Sequence, residues 1–205
     1  MTPAALLPGL PQAPTPQAGR AAERRTLPPA TWDALIAHQP TRDRYDALVC
    51  QRRPDQCWYW LGSISDTGHG KFRAGTRAGG GPASTVVTAH VYGYRRTYGP
   101  PGARPRTGAP VIAHRCDESS CQNPAHWRLG TAADNAAEYI ARRGRGPLAD
   151  SRGPAGRARA IRDAIKTARA QAADGVPPAG AAAAIEAAIE EAAAAGLPQV
   201  QGELF

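Results

Sequence analysis

The stretch HRCDESSCQNPAHW, residues 114–127, constrains the fold most, because it gathers two cysteines and two histidines in fourteen positions. The 205-residue chain has four cysteines and five histidines in all. Within the stretch, Cys116, Cys121 and His126 follow the spacing C-x4-C-x4-H. Thiolate and imidazole are preferred zinc ligands, and a structural zinc takes four of them in a tetrahedron. The spacing therefore predicts three ligands of a structural zinc ion.

The fourth zinc ligand has to come from upstream, where the chain has Cys50 and Cys57. We favour Cys57, because it begins a predicted strand that can lie beside the metal-binding loop, and the aromatic residues of CWYW can shield the site. Cys50 is the alternative. A competing interpretation is that the cysteines are buried free thiols beside an unrelated histidine. Asn123 and Pro124 argue against it, because they predict a tight turn that delivers His126.

His114 remains once four metal ligands are assigned. It ends the short apolar run PVIAH, two residues before Cys116. In a strand the two side chains share one face. A neutral imidazole beside a rigid metal-bound loop is suited to act as a general base near pH 7. The alternatives are that His114 is a further metal ligand or a histidine packed in the core.

The charge of the chain is strongly basic, with a formal net charge of +8. All 25 lysines and arginines lie at or before Arg169, and two of them are lysines. Arginine binds phosphate in a bidentate manner, so this bias favours a polyanionic partner; codon usage in a GC-rich genome would have the same effect. No apolar run is long enough to span a bilayer, and the N-terminus makes a poor secretory signal. We expect a cytoplasmic protein, bacterial or phage-encoded, with no membrane partner.

Patterning along the chain predicts an α+β protein in three regions. Residues 1–28 are rich in Pro, Ala and Gln and predict a disordered leader. Residues 29–146 begin with helix signals in PATWDALIAHQPTRDRYDALV, followed by strand signals in CWYWLGSI and GKFRAG. TVVTAHVYGYRRTYG starts as a strand and turns helical, and Thr131 with Asp134 forms a capping-box start for one more helix. Residues 147–205 contain two Ala-rich helix formers. They could form a pair of solvated helices, or they could pack against the body of the protein or against another subunit.

The run HRCDESSCQNPAHWRLGTAADN resembles the zinc-binding region of His-Cys box homing endonucleases, which are HNH-type (ββα-metal, or His-Me finger) nucleases. The similarity starts at CWYW and covers residues 57–145, roughly half the chain. Trp127 stands where the family usually has Leu, and Ala113 stands where many HNH nucleases have a metal-binding Asp. No cysteine follows Cys121, so the second zinc site of the longer enzymes is missing, together with the basis for a dimer built on that region.

This resemblance implies a small ββα-metal nuclease core over residues 29–146, stabilised by structural zinc, with the helical region as a tail. The implied function is a metal-dependent DNA endonuclease that hydrolyses phosphodiester bonds. His114 would be the general base that takes a proton from the attacking water. Asn135 would be the protein ligand of one catalytic Mg²⁺; on local sequence it could instead cap the helix beside Asp134. The rival interpretation is a noncatalytic zinc-stabilised module that binds DNA, and a less favoured one is an RNA-directed protein.

Basic residues near the implied core are candidates for binding double-stranded DNA. In such nucleases an arginine near the hairpin contacts the phosphate, which the resemblance assigns to Arg77, with Arg73 as the alternative. Lys71 with these two arginines could reach a DNA groove as a β-ribbon does. His90 matches a histidine often seen in the family's middle segment, and we assign it no chemistry. Further phosphate contacts are expected from five arginines, which could also form a solvated cationic face: Arg95, Arg96, Arg142, Arg143 and Arg145.

The last five residues, QGELF, fit the pattern Q-x-x-L-F and resemble the peptides that bind the bacterial sliding clamp. Leu204 and Phe205 would fill an apolar pocket, and Gln201 would supply hydrogen bonds. A clamp is therefore a second expected partner.

A single nuclease site per chain favours nicking of one strand unless the protein dimerises, and the oligomeric state is left open.

Overall fold

The structure, a computed structural model, describes residues 27–102, 110–172 and 177–198. Most of the predicted leader, and the three predicted clamp-binding residues Gln201, Leu204 and Phe205, lie outside these ranges. Within them the chain forms six α-helices and seven short strands, so the α+β class is confirmed. None of the helices in this part of the chain is long and apolar enough to span a bilayer.

Helices occupy the start, the middle and the end of the described chain. They are α1 Pro29–Ala37, α2 Gln39–Ala47, α3 Ala89–Tyr98, α4 Ala132–Arg142, α5 Gly153–Ala172 and α6 Pro178–Ala194. The strands are β1 Val49–Cys50, β2 Tyr59–Trp60, β3 Ser63–Ile64, β4 Gly70–Ala74, β5 Thr85–Thr88, β6 Val111–His114 and β7 Trp127–Gly130. Helix α4 begins with the predicted capping box, in which Thr131 and Asp134 exchange side-chain and backbone hydrogen bonds of 3.0 Å.

All strand pairing is antiparallel and falls into three small sheets: β1 with β2, β3–β4–β5 as a meander, and β6 with β7 as a hairpin. The prediction of one strand over CWYWLGSI is wrong, because β2 and β3 belong to different sheets. The chain turns at Gly62, where an added Cβ would lie 2.7 Å from Nε1 of Trp60. The same Nε1 donates a hydrogen bond to the carbonyl of Ser63 at 3.2 Å, so the indole fixes the bend.

An aromatic cluster forms the main core. Tyr45, Trp60, Phe72 and Tyr92 are buried, and their ring centroids lie 4.9–5.7 Å apart in tilted or edge-on pairs. Each such pair contributes about 0.5–1.5 kcal/mol beyond its burial. Along β4 the residues alternate between this core and solvent, so the sheet buries one face and exposes the other.

The two Ala-rich helices pack against the rest of the protein and are not a solvated pair. Ile161 and Ile165 lie one helical turn apart on α5 and are fully buried. They form a second apolar cluster with Ile189 of α6 and with Cys50 and Tyr59 of the β1–β2 sheet. The C-terminal helices therefore pack against the β1–β2 sheet.

Candidate metal centre and nuclease site

The loop between β6 and β7 carries three of the predicted zinc ligands, and backbone pairing holds it against β2. Cys121 forms an isolated antiparallel bridge with Tyr59. The amide of Gln122 donates to the carbonyl of Trp58 at 2.7 Å. This pairing brings the chain just before β2, where Cys57 lies, next to the loop.

Cys57, Cys116, Cys121 and His126 form a cluster that could hold a metal ion. Their ligand atoms all lie within 4.8 Å of one another. Nδ1 of His126 is 3.6 Å from Sγ of Cys57 and 3.5 Å from Sγ of Cys121. Three thiols and one imidazole suit a tetrahedral structural zinc site. Cys50, the alternative fourth ligand, is buried instead in the apolar cluster under α5.

Asn123 builds the turn that delivers His126, as the sequence predicts. Its Nδ2 donates to the carbonyl oxygens of Pro54 at 2.8 Å and of Gln56 at 2.7 Å. Its Oδ1 accepts the amide of Ala125 at 3.0 Å and so caps the short 3-10 helix Pro124–His126. One buried side chain thus ties the loop both to the segment that bears Cys57 and to the segment that bears the histidine.

The thiols of the cluster do not ionise alike without a cation. Hydrogen bonds from Cys121 and Cys57 lower the pKa of Cys116. The pKa of Cys57 is raised, chiefly because its thiol is hydrogen-bonded to Cys116, and burial raises the pKa of Cys121. The arrangement therefore favours one thiolate, and a bound cation is what would make all three thiolates compatible.

A buried ion network, which the sequence did not reveal, anchors this loop to α5. Nε of Arg157 donates to Glu118 at 2.8 Å, and Nη1 donates to Asp150 at 3.3 Å and to the carbonyl of Ala193 at 2.7 Å. The side chains of Arg157, Glu118 and Asp150 are 8%, 2% and 0% exposed. The signal that could have revealed it is weak, because Glu118 is 39 residues from Arg157 in sequence, and the nearby Asp150 alone does not indicate a buried pair.

His114 lies outside the four-residue cluster. It ends β6 opposite Trp127, is 9% exposed, and its Nε2 donates to the carbonyl of Cys121 at 3.0 Å. Its ring centroid is 4.6 Å from that of His90 and 5.9 Å from that of His69. Burial lowers the pKa of His114, which keeps the ring neutral. The structure thus groups His114 with two other histidines, and sequence reasoning did not single out His69.

Asn135 lies exposed in the first turn of α4, where its backbone amide donates to the carbonyl of Thr131 at 3.0 Å. Thr131 and Asp134 make the cap, so a capping role for Asn135 is not what the structure shows. In the described part of the chain its side-chain amide makes no hydrogen bond, to His114 or to any other group. The amide is therefore available to an outside ligand.

The predicted DNA-binding residues fall into two groups. Lys71 and Arg73 point from the solvent face of β4, and Arg77 is exposed in the following loop. With Arg44 they line an open cavity of about 490 Å³. Among the described residues, neither the cysteine-containing cluster nor the histidine cluster lines this cavity. Sequence reasoning missed Arg44, which donates to the carbonyls of Arg73 at 3.1 Å and Gly75 at 2.8 Å.

The second group of arginines has partners within the fold or lies at the end of α4. Arg96 makes a two-pronged ion pair with Asp46 at 2.6 and 2.9 Å, and the guanidinium of Arg95 lies 4.5 Å above the ring of Trp32. Arg142 contacts Glu138 at 2.7 Å and Asp117 at 3.3 Å. Arg143 and Arg145 are exposed beyond α4.

Comparison with known proteins gives one similarity to report. The chain is 31% identical over 86 residues to "Protein 7.7" of Escherichia phage T7, a match that covers 42% of this chain and 56% of the phage protein. The chain thus spans little more than half the length of that relative, whose name states no activity. No family model matches the chain, and no solved structure matches it.

Proposed function

We propose that this protein is a metal-dependent DNA endonuclease that hydrolyses phosphodiester bonds with His114 as general base. The observation that carries the proposal is the 3.0 Å hydrogen bond from Nε2 of His114 to the carbonyl of Cys121, made by a ring outside the four-residue metal cluster. A structural zinc held by that cluster would fix the loop, and the loop carbonyl would fix the imidazole.

The hydrogen bond decides which nitrogen of His114 can act as a base. A carbonyl oxygen accepts and cannot donate, so Nε2 carries the proton and Nδ1 has a lone pair. A neutral imidazole with a fixed tautomer can accept the proton of an attacking water at Nδ1. His114 is buried, with 9% of its surface exposed, so the ring has a fixed place in the fold.

Asn135 fits the role of a cation ligand, because its side-chain amide has no partner within the described residues. One amide oxygen suits Mg²⁺, which keeps most of its coordination sphere as water and substrate oxygens. When bound, such a cation would offset negative charge on the scissile phosphate and the leaving oxygen. The residues of this chain would orient the phosphate, accept the proton at His114, and hold the β6–β7 hairpin and helix α4 together.

The basic face of the β3–β4–β5 meander supports DNA as the substrate. Lys71 and Arg73 project from β4, and Arg77 lies in the loop that follows it. Arg44 adds a fourth cation at the same cavity. Antiparallel ribbons of this kind can enter a DNA groove, while their cations contact phosphates. His69 of the histidine cluster is the residue before Gly70 of β4 and lies two positions before Lys71 in the chain.

Cleavage of supercoiled plasmid with Mg²⁺ tests the proposal. We expect relaxed or linear product with the zinc-loaded protein, and a rate about 10²–10⁴-fold lower for His114→Ala, the range for loss of a general base. Asn135→Ala should also be strongly impaired. His38→Ala is the matched control, because His38 is hydrogen-bonded to Thr41 and belongs neither to the four-residue metal cluster nor to the group of three histidines. If His114→Ala cleaves at the wild-type rate, the assigned base is wrong.

The rival function, a noncatalytic DNA-binding module, is tested in the same samples. It predicts DNA binding that falls with added salt and with Arg73→Ala, and no cleavage by the wild-type protein. The endonuclease proposal predicts that His114→Ala binds DNA like the wild type and fails to cut. Cleavage of RNA in preference to DNA would point to the RNA-directed alternative.

A further inference from the structure

We propose that His69, His90 and His114 form a second metal site that binds a divalent transition metal such as Zn²⁺. One nitrogen of each ring lies within 4.8 Å of the others. The ring centroids are 4.6, 5.1 and 5.9 Å apart. A tetrahedral zinc site needs ligand nitrogens about 3.3 Å apart, so small side-chain rotations would close this one around an ion.

Each of the three rings has an oxygen partner at its other nitrogen. Nε2 of His114 donates to the carbonyl of Cys121 at 3.0 Å, and His90 makes a hydrogen bond to the backbone of Ile112. Nδ1 of His69 lies 2.9 Å from the hydroxyl oxygen of Thr67. Histidines that bind metals almost always have such a partner, which orients the ring and fixes its tautomer. The ligand atoms we assign are Nδ1 of His114, Nδ1 of His90 and Nε2 of His69.

His90 supplies an independent observation. It is 5% exposed, and among the described residues its Nδ1 is a buried polar atom with no hydrogen-bond partner. A buried nitrogen without a partner costs stability, so such atoms call for a water, an ion or a ligand. The neighbouring rings of His69 and His114 make an ion coordinated by all three the group that would satisfy it.

The backbone holds the three rings from separate elements. His90 lies in the first turn of α3 and His114 at the end of β6, while His69 follows the turn at Gly68. Gly68 has φ of +83°, and an added Cβ would lie 2.7 Å from the carbonyl oxygen of Pro154. The turn that carries His69 is therefore packed against α5, which limits its freedom to move away from the other two histidines.

The ligand set selects the class of metal. Three neutral imidazoles suit Zn²⁺, Co²⁺, Ni²⁺ or Cu²⁺, whereas Mg²⁺ and Ca²⁺ need oxygen ligands. If the proposed nuclease function holds, this ion would occupy Nδ1 of His114, the atom that function uses as the base. Excess Zn²⁺ would then inhibit cleavage supported by Mg²⁺, and His69→Gln would reduce that inhibition.

Metal titration of the full-length apoprotein tests the site directly. We expect two equivalents of Co²⁺, the first with thiolate charge-transfer absorption and the second with ligand-field bands alone. His69→Gln and His90→Gln should weaken the second site at least about 100-fold, since even the loss of an outer-shell partner costs 10–100-fold. The first site should be unchanged in both variants, and His38→Gln should retain two equivalents.

A wild-type protein that binds one equivalent, or His69→Gln that still binds two, would overturn the proposal. If His90→Gln fails to fold, the site is tested by His69→Gln, which alters a half-buried side chain, and by the number of Co²⁺ equivalents that the wild-type protein binds. The readout does not depend on cleavage. Nuclease activity is assayed separately, with Mg²⁺ and protein that holds one equivalent of Zn²⁺ at the cysteine site. Two equivalents in the titration with no cleavage in that assay would support the metal site and contradict the endonuclease, and one equivalent with cleavage would do the reverse.

Discussion

Replacing Arg157 by methionine should destabilise the protein far more than any exposed arginine substitution. Arg157 is 8% exposed and pairs with Glu118, which is 2% exposed and sits inside the metal-binding loop. The substitution keeps the apolar stem but leaves a buried carboxylate without its cation. Breaking a buried pair in this way costs about 3–5 kcal/mol. For a protein of this length that corresponds to a fall in Tm of about 6–20 °C.

Urea unfolding of zinc-loaded protein measures this cost, with Arg159→Met as the matched control. Arg159 lies on the same helix and pairs with Asp66 at 3.4 Å, but both side chains are open to solvent. Such exposed pairs contribute little, so the control should unfold close to the wild type. Equal midpoints for the two variants would refute the view that the buried network stabilises the fold.

The pH dependence of the Arg157→Met deficit gives a second check. Burial raises the pKa of Glu118 even though Arg157 lowers it, and removing the arginine should raise it further. A carboxyl with a raised folded-state pKa adds stability at low pH and loses it as pH rises through that value. The deficit should therefore be larger near about pH 8 than near about pH 5. A deficit that grows on acidification would contradict this reasoning.

Three further predictions concern other parts of the fold. Cys57→Ala should lose the thiolate-bound Co²⁺ spectrum while Cys50→Ala keeps it, and the reverse pattern would reassign the fourth ligand. Gly93→Ala should cost about 1–3 kcal/mol in urea unfolding, because its Cβ would lie 2.2 Å from the hydroxyl of Tyr45; an unchanged midpoint would contradict the packing. Arg152 lowers the pKa of Asp150 from 3.8 to about 2, so Asp150→Asn should cost about 2 kcal/mol near neutral pH. That cost should disappear as pH falls from about 4 to about 2, because a carboxyl with a lowered pKa adds stability only at pH values above that pKa. A cost independent of pH would contradict the pairing.

Local signals in the sequence were sufficient for much of the site. The capping box at Thr131 needs only the residue three positions later, and the turn at Asn123 needs only its neighbours. The spacing of Cys116, Cys121 and His126 identified a candidate metal-binding loop because all three ligands lie on one short segment.

Features that depend on long-range pairing were not predictable in the same way. Strand β7 is four residues long and has no alternation of its own; it forms because it pairs with β6. The sequence favoured Cys57 over Cys50 as the fourth ligand, but the bridge between Tyr59 and Cys121, which brings Cys57 to the loop, had no local signal. His69 escaped notice because nothing near it suggests chemistry, and only the packing of α3 against β4 and β6 brings the three histidines together.

X-ray absorption at the zinc edge, on protein loaded with one equivalent of zinc, tests the central claim most directly. The claim is that Cys57, Cys116, Cys121 and His126 hold the structural metal and leave His114 outside it. We predict three sulfur neighbours at about 2.3 Å and one nitrogen at about 2.0 Å. A shell with two or more nitrogens that loses one in His114→Ala would contradict the account, because a histidine bound to the structural zinc cannot serve as the base.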